Sequence, residues 1–312
     1  MKILLLEPIH CEAQQLLSTV GEIIMAESLA PDDIVSIIPD ADAAITRGYG
    51  RLSRDALSAG RKLKCVARCG VGTDNIDVRA ATEAGIPVIY APGSTTNAVA
   101  EHALMLMLNV ARRAVRLVNE TKVGNWAFRQ EYGMGVELSG RTLGIIGLGE
   151  IGTRVAELGQ AFGMHIQYWS RQSRNERFAF SEFHELLKTS DFICICVALT
   201  PETTKLMTPE AFALMKPQAI LINIARGDVI DEAALFEALT NGRLAGAGLD
   251  VIASDSSNTD NPLFALDNVI VTPHVASLTE TTFRKMCLMA AEQVVRVLRG
   301  EMPDARMVKN PE

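Results

Sequence analysis

In the second half of this chain three polar side chains stand at or just beyond apolar runs: Arg226 after 219–222, Asp250 after 244–249 and His274 after 269–272. If those runs are neighbouring parallel strands, the three side chains collect along the carboxyl edge of one sheet, where open α/β sheets hold their ligands. Arginine offers a planar, two-pronged donor that fits a carboxylate, and histidine exchanges protons near neutral pH. Together they can anchor a small acid and move a proton on or off it. Upstream, Gly147-Leu148-Gly149-Glu150-Ile151-Gly152 follows the apolar stretch 142–146 and precedes 153–162, where Val155, Leu158 and Phe162 recur at helical spacing. Glycines at a strand-to-helix turn permit a tight bend and close backbone approach, and the helix start presents free N–H groups. A dinucleotide pyrophosphate requires that combination.

Six apolar runs position these residues, at 143–146, 165–168, 192–197, 219–222, 244–249 and 269–272, with helical stretches between several of them. Six is the number of strands in a doubly wound dinucleotide-binding sheet. Nearer the N-terminus, runs at 2–6, 43–46, 65–68 and 88–90 alternate with helical patterns at 11–19, 32–38 and 54–59. That alternation implies a second parallel sheet covered on both faces. Between the two, 97–119 reads as one long helix, apolar all round near Val99–Leu108, which points to burial between domains or against a second subunit. The last helix, 280–299, is long enough to return to the first domain. The expected organisation is a dinucleotide-binding domain, 99–279, inserted into a discontinuous domain made of 1–98 plus 280–312.

A chain of 312 residues suits about two domains, and 48% hydrophobic against 21% charged content allows a core in each. The net charge of −7, with no basic run, argues against nucleic acid or an anionic membrane surface as partner. No stretch approaches the roughly 18 uncharged apolar residues of a membrane span. The start, Met1-Lys2-Ile3-Leu4-Leu5-Leu6-Glu7-Pro8, meets charge and proline too soon for a signal peptide. Six cysteines, at 11, 65, 69, 194, 196 and 287, lack further ligands nearby and read as reduced thiols of a cytoplasmic protein, with no metal site. His10, His102, His165 and His184 read as structural.

Taken in order along the chain, these motifs resemble the D-isomer-specific 2-hydroxyacid dehydrogenases, which include glyoxylate/hydroxypyruvate reductases and phosphoglycerate dehydrogenase. Val71-Gly72-Thr73-Asp74-Asn75-Ile76-Asp77 is similar to the family's substrate loop, and Pro92-Gly93 with Val99-Ala100-Glu101-His102 to its hinge segment. Leu199-Thr200-Pro201-Glu202-Thr203 and the stretch from Asn223 to Asp231 match two further signatures. The resemblance implies an α/β fold of two doubly wound parallel-sheet domains, a Rossmann-type nucleotide domain inserted into a flavodoxin-like substrate domain. It implies that Arg226 holds the substrate carboxylate and carbonyl oxygen, that His274 is the proton donor, and that the Val71 and Gly72 backbone binds the carboxylate. Gly147, Gly149, Glu150, Ile151, Gly152, Thr203, Ile224, Ala225 and Asp250 would line the cofactor, with Asp250 on the nicotinamide carboxamide. The family's third catalytic member is a glutamate five residues after the aspartate that matches Asp250. Here that position is Asp255, one methylene shorter, which would orient His274 from a shifted loop or through water.

The second strand of the nucleotide domain sets the cofactor. An NAD-selective fold usually ends that strand with an acid for the ribose hydroxyls. Here 165–168 runs into Trp169-Ser170-Arg171-Gln172-Ser173-Arg174-Asn175, and no acid appears before Glu176. Ser170, Arg171 and Arg174 suit a dianionic 2′-phosphate, so NADP(H) is the expected cofactor, with NAD(H) second. The expected activity is reduction of a small 2-keto acid to the D-2-hydroxy acid, of the glyoxylate/hydroxypyruvate type. Thr46-Arg47-Gly48-Tyr49 offers one arginine and one tyrosine, thin for gripping a substrate phosphate. An NAD-dependent phosphoglycerate dehydrogenase-like enzyme is the alternative. A nucleotide-sensing, co-repressor-like interaction protein is the rival from another class, and the chain's lack of an extended tail counts against it. A homodimer is expected.

Overall fold

Short aliphatic runs, each followed by a helix, build the first of two units. In the computed structural model, which describes residues 1–172, 174–253 and 260–310, its strands are β1 (Lys2–Leu5), β2 (Glu22–Met25), β3 (Ala43–Thr46), β4 (Cys65–Arg68) and β5 (Val88–Ile89). They pair in parallel in the order β2-β1-β3-β4-β5, a doubly wound flavodoxin-like arrangement. The unit comprises Met1–Thr95 and Leu278–Glu312. The helix Glu280–Leu298 lays Met286, Cys287, Ala290, Val294 and Leu298 on the same core as Ile3, Leu5, Ile45 and Ile89. Serine and aspartate caps start its helices: Ser53 accepts from Ala56 N–H and Asp77 from Ala80 N–H. β2 was not anticipated. Its sequence, Glu-Ile-Ile-Met, is bounded by charge and half-exposed at the sheet edge, so it lacks the unbroken apolar run that marks the buried strands.

The second unit, Thr96–Ser277, carries β6 (Thr142–Ile146), β7 (His165–Trp169), β8 (Ala179–Phe180), β9 (Phe192–Ile195), β10 (Ile220–Asn223), β11 (Gly246–Leu249) and β12 (Val269–Val271). All pair in parallel, in the order β12-β11-β10-β9-β6-β7-β8. The six expected runs are all strands; β8, a two-residue edge, is the addition. Strand order reverses between β6 and β9, and the glycine turn leaves β6 at that switch point, where such sheets open a crevice.

The helix expected over 97–119 is in fact two, Thr96–Ala111 and Ala114–Lys122, broken at Arg113 with φ +48°. Carbonyls that a continuing helix would use are taken from outside: Val136 N–H donates to Ala111 O and the Tyr132 hydroxyl to Arg112 O. The first helix buries Ala100, Ala103, Leu106 and Met107 within the core of its own unit, which accounts for most of its apolarity. The second has no buried residue and carries exposed Val115 and Val118.

Candidate active site

Three glycines shape the turn after β6, each for a different reason. Gly147 takes φ +97°, and a Cβ there would stand 2.9 Å from Val197 N. Gly152, in the first turn of the helix Glu150–Ala161, would drive a Cβ to within overlap of Gly147 O. Gly149 has nothing within 4 Å of its would-be Cβ. It caps the helix with no side-chain hydrogen bond, so the first N–H groups remain available, unlike those of the helices at Pro209 and Glu232, which Thr208 and Asp231 cap. The Glu150 side chain reaches to the Thr96 hydroxyl (3.4 Å), and Ile151 packs on the core.

This turn borders a cavity of about 320 Å³ lined by Gly147, Leu148, Gly149, Trp169–Gln172, Cys196–Ala198 and Thr203. It lies over the carboxyl ends of β6, β7 and β9, and its open glycine suits close approach of a dinucleotide's phosphates. Thr203 is fixed by Thr200 N–H (2.8 Å) and by donating to Ala198 O (2.7 Å). Ser170 and Arg171 stand on the cavity wall, and Arg171 Nη1 is 3.3 Å from Glu202 Oε2. Arg174 stacks on Phe180, 4.0 Å from the ring centroid, and donates to Ser170 O (3.0 Å). The structure thus puts two of the three expected phosphate ligands on the cavity and turns the third to bracing their loop.

Further along the edge, Asn223 sets the arginine. Its side chain is fully buried, accepts from Ala225 N–H (3.0 Å) and donates to Arg226 O (2.9 Å), closing the turn through Ile224 and Ala225. Arg226 is half-buried and donates to Ala225 O (2.7 Å). Gly227 must be glycine, because a Cβ would overlap the Ile252 carbonyl. Registers Asn223↔Leu249 and Leu249↔Val271 align the three strand ends, so Arg226, Asp250 and His274 share one edge.

Asp250 is 2% exposed and acts as a hub. Oδ1 accepts from the Thr272 hydroxyl (2.6 Å) and Val275 N–H (3.0 Å), and Oδ2 from Ala276 N–H (2.9 Å). His102 Nε2 lies 3.3 Å from Oδ1 and 2.9 Å from Thr272 Oγ1. Burial works to raise the carboxyl's pKa, but the His102, Thr272, Ala276 and Val275 donors outweigh it and hold it below the usual range. His274 is exposed, with φ +53°, and its N–H donates to Asp250 O and Thr272 O. A non-glycine residue in that left-handed region costs about 1–2 kcal/mol, so the hydrogen bonds around it must hold it there. Asp255 lies outside the described residues. Glu232 grips both flanks of that segment, accepting from Ala253 N–H (2.9 Å) and the Asn261 amide (2.6 Å).

In the first unit, Val71 and Gly72 are half-buried in the loop after β4, entered through Gly70. Asn75 ties this loop to its neighbour, donating to Thr46 Oγ1 (2.9 Å) and Gly50 O (2.7 Å). Sequence reasoning passed over Glu7. It is 5% exposed and accepts from Arg47, Gly48, Tyr49 and Gly50 N–H and the Thr46 hydroxyl, at 2.7–3.3 Å. Burial opposes its charge, but these donors prevail and lower its pKa. His102, expected to be structural, stands beside Asp250 and Thr272. The available signals were an acid at the carboxyl end of a strand and a lone imidazole among buried helix positions.

Residues 104–276 match the family model described as D-isomer specific 2-hydroxyacid dehydrogenase, NAD binding domain. The chain is 42% identical over 310 residues to a D-3-phosphoglycerate dehydrogenase from Methanocaldococcus jannaschii, covering 97% of this chain but 59% of that protein. It is 39% identical over 306 residues to a glyoxylate reductase from Aeropyrum pernix, covering 94% of this chain and 91% of that one. Among solved structures, an NADPH-dependent glyoxylate/hydroxypyruvate reductase from Sinorhizobium meliloti, in complex with NADP and malonate, superposes with TM-score 0.87 at 29% identity, over 100% of this chain and 98% of that one.

Proposed function

The chain belongs to the D-isomer-specific 2-hydroxyacid dehydrogenase family, and we propose that it reduces a small 2-keto acid to the D-2-hydroxy acid with NADPH. The observation that carries this reading is the single sheet edge that presents Arg226, Asp250 and His274 beside a glycine turn with an open Gly149. Bound at that turn, the nicotinamide cofactor supplies the hydride. Arg226 holds the substrate carboxylate and the carbonyl oxygen through its guanidinium fork. His274 gives its proton to the carbonyl oxygen in reduction and recovers it in oxidation. Asp250 would take the carboxamide through Oδ2, which accepts one hydrogen bond, from Ala276 N–H, among the described residues. Asp255 is proposed as the partner of His274.

The cofactor preference rests on the acid-free end of β7. Ser170 and Arg171 line the cavity there, and a 2′-phosphate would draw Arg171 away from exposed Glu202. The reductase found with NADP supports the same reading. A phosphorylated substrate is disfavoured because the amides of 47–50 are committed to Glu7, while Arg47 packs over Phe283 and donates to Pro8 O (3.3 Å). Six free cysteines, four of them buried, suit a reducing cytoplasm, and no helix among the described residues is long and apolar enough to cross a membrane. Pairing into a homodimer would cover exposed Val115, Val118, Val123 and Trp126; sedimentation of Val118→Asp should then show monomer where the unmutated chain shows dimer.

Loss of NADPH absorbance across a panel of 2-keto acids tests the activity. Glyoxylate and hydroxypyruvate should turn over well, and 3-phosphohydroxypyruvate at least ~10-fold worse. Preference for the phosphorylated acid would favour the phosphoglycerate dehydrogenase alternative, and no turnover of any acid would favour a nucleotide-sensing interaction protein.

A further inference from the structure

We infer that His102 is a positioning residue for the acid–base histidine, acting through a relay from its ring to the Thr272 hydroxyl and the Asp250 carboxylate. The inference rests on the reading of His274 as proton donor.

Hydrogen-bond accounting fixes the relay's direction. Thr272 Oγ1 has one proton, and at 2.6 Å from Asp250 Oδ1 that proton goes to the carboxylate, which can only accept. The hydroxyl therefore faces the imidazole, 2.9 Å away, with a lone pair. Asp250 Oδ1, 3.3 Å from the same Nε2, is an acceptor too. Nε2 must carry a hydrogen, so His102 is the donor that starts the relay.

The far end of the relay is the turn that carries His274. Asp250 receives the N–H groups of Val275 and Ala276 on its two oxygens, and its backbone carbonyl receives that of His274. Every amide from 274 to 276 is thereby tied to one residue. His274 itself sits at φ +53°, a conformation that persists only while its surroundings hold it. With the ring's donor removed, Thr272 Oγ1 and Oδ1 lose a shared partner in a buried site, and the carboxylate is free to turn away from one of the two amides. The imidazole of His274 then swings with its backbone. Misplacing a catalytic group by about 1 Å can cost 10²-fold in rate. His102 thus stands behind the reacting atoms as the groups behind metal-binding histidines do, fixing an orientation without touching substrate.

Two substitutions separate the donor from the ring's bulk. His102→Phe keeps a flat ring of similar size without the N–H, and His102→Gln keeps an N–H donor without the ring. His102→Phe should lower kcat for glyoxylate reduction by ~10- to 100-fold, while the Kd for NADPH, read by fluorescence, rises by at most about 10-fold, the worth of the one carboxamide hydrogen bond given to Asp250. Exchange protection at the Val275 and Ala276 amides should fall in the same protein. His102→Gln should restore most of the protection and most of kcat. A His102→Phe protein with unchanged amide protection, or a stably folded His102→Gln protein that recovers neither protection nor kcat, would overturn the relay. Full turnover by His274→Ala would instead overturn the reading beneath it.

Discussion

Replacing Gly149 and Gly152 separately by alanine should divide cofactor binding from folding, although the two residues are three apart in one turn. At Gly149 the added methyl meets nothing within 4 Å. Alanine is a poorer helix cap than glycine by up to about 1 kcal/mol, and its stiffer unfolded chain returns about 0.4–1 kcal/mol. The net change in stability is therefore within about 1 kcal/mol, or about 2–4 °C in Tm for a domain of this size. The same methyl, however, fills the space a phosphate needs to reach the helix N–H groups. Overpacking of one methyl costs about 1–3 kcal/mol, which raises the Kd for NADPH by about 5- to 150-fold. At Gly152 the sign of the contrast reverses. Its methyl would overlap Gly147 O and lie 3.3 Å from Ile145 Cγ2, so backbone must move before any ligand arrives. That variant should lose about 1–3 kcal/mol of stability without ligand. Thermal melts with and without NADPH read both quantities. Gly149→Ala should keep its ligand-free Tm and lose most of the NADPH-induced rise. A Gly149→Ala protein stabilised by NADPH as well as the unmutated chain would refute the cavity as the dinucleotide site.

Three further outcomes follow from the site. His274→Ala should lose ~10²–10⁴ in rate with NADPH binding nearly intact, while Arg226→Ala should lose at least ~10² in kcat/KM; near-normal turnover by either removes that residue from the mechanism. The unmutated chain should favour NADPH over NADH by ~10-fold or more in kcat/KM, and Ser170→Asp with Arg171→Ala should shift the preference toward NADH, since one charge-assisted contact is worth about 1.5–3 kcal/mol. Glu7, with a lowered pKa from an ordinary 4.5, contributes stability that is present above about pH 4.5 and lost as pH falls through its folded value; Glu7→Gln should be less stable by about 2 kcal/mol at pH 7, with a gap that narrows in acid, and a pH-independent gap on urea denaturation would contradict the role given to its charge.

Much of this architecture was legible because its signals are local. A glycine turn between an apolar strand and an amphipathic helix, and an arginine and a histidine just past apolar runs, can be read from a few consecutive residues. What escaped needed distant partners. His102 looks like one imidazole in an apolar helix until Thr272, 170 residues on, is seen against its ring. Glu7 looks like the end of a strand until the loop at 46–50 closes its N–H groups over it. The break at Arg113 is set by Tyr132 and Val136, which take the carbonyls a longer helix would have used. Arg171 and Arg174 read alike in the sequence, yet one faces the cavity and the other stacks on Phe180, a distinction made by the loop's fold rather than by its charges.

The proposed reaction is one coupled event, hydride transfer to the carbonyl carbon with a proton from His274 to its oxygen. The most direct measurement is the product formed from hydroxypyruvate and NADPH by the purified chain, quantified and resolved on a chiral column. D-glycerate equal in amount to the NADPH consumed is the predicted result. L-glycerate, or no glycerate with NADPH unconsumed, would contradict it.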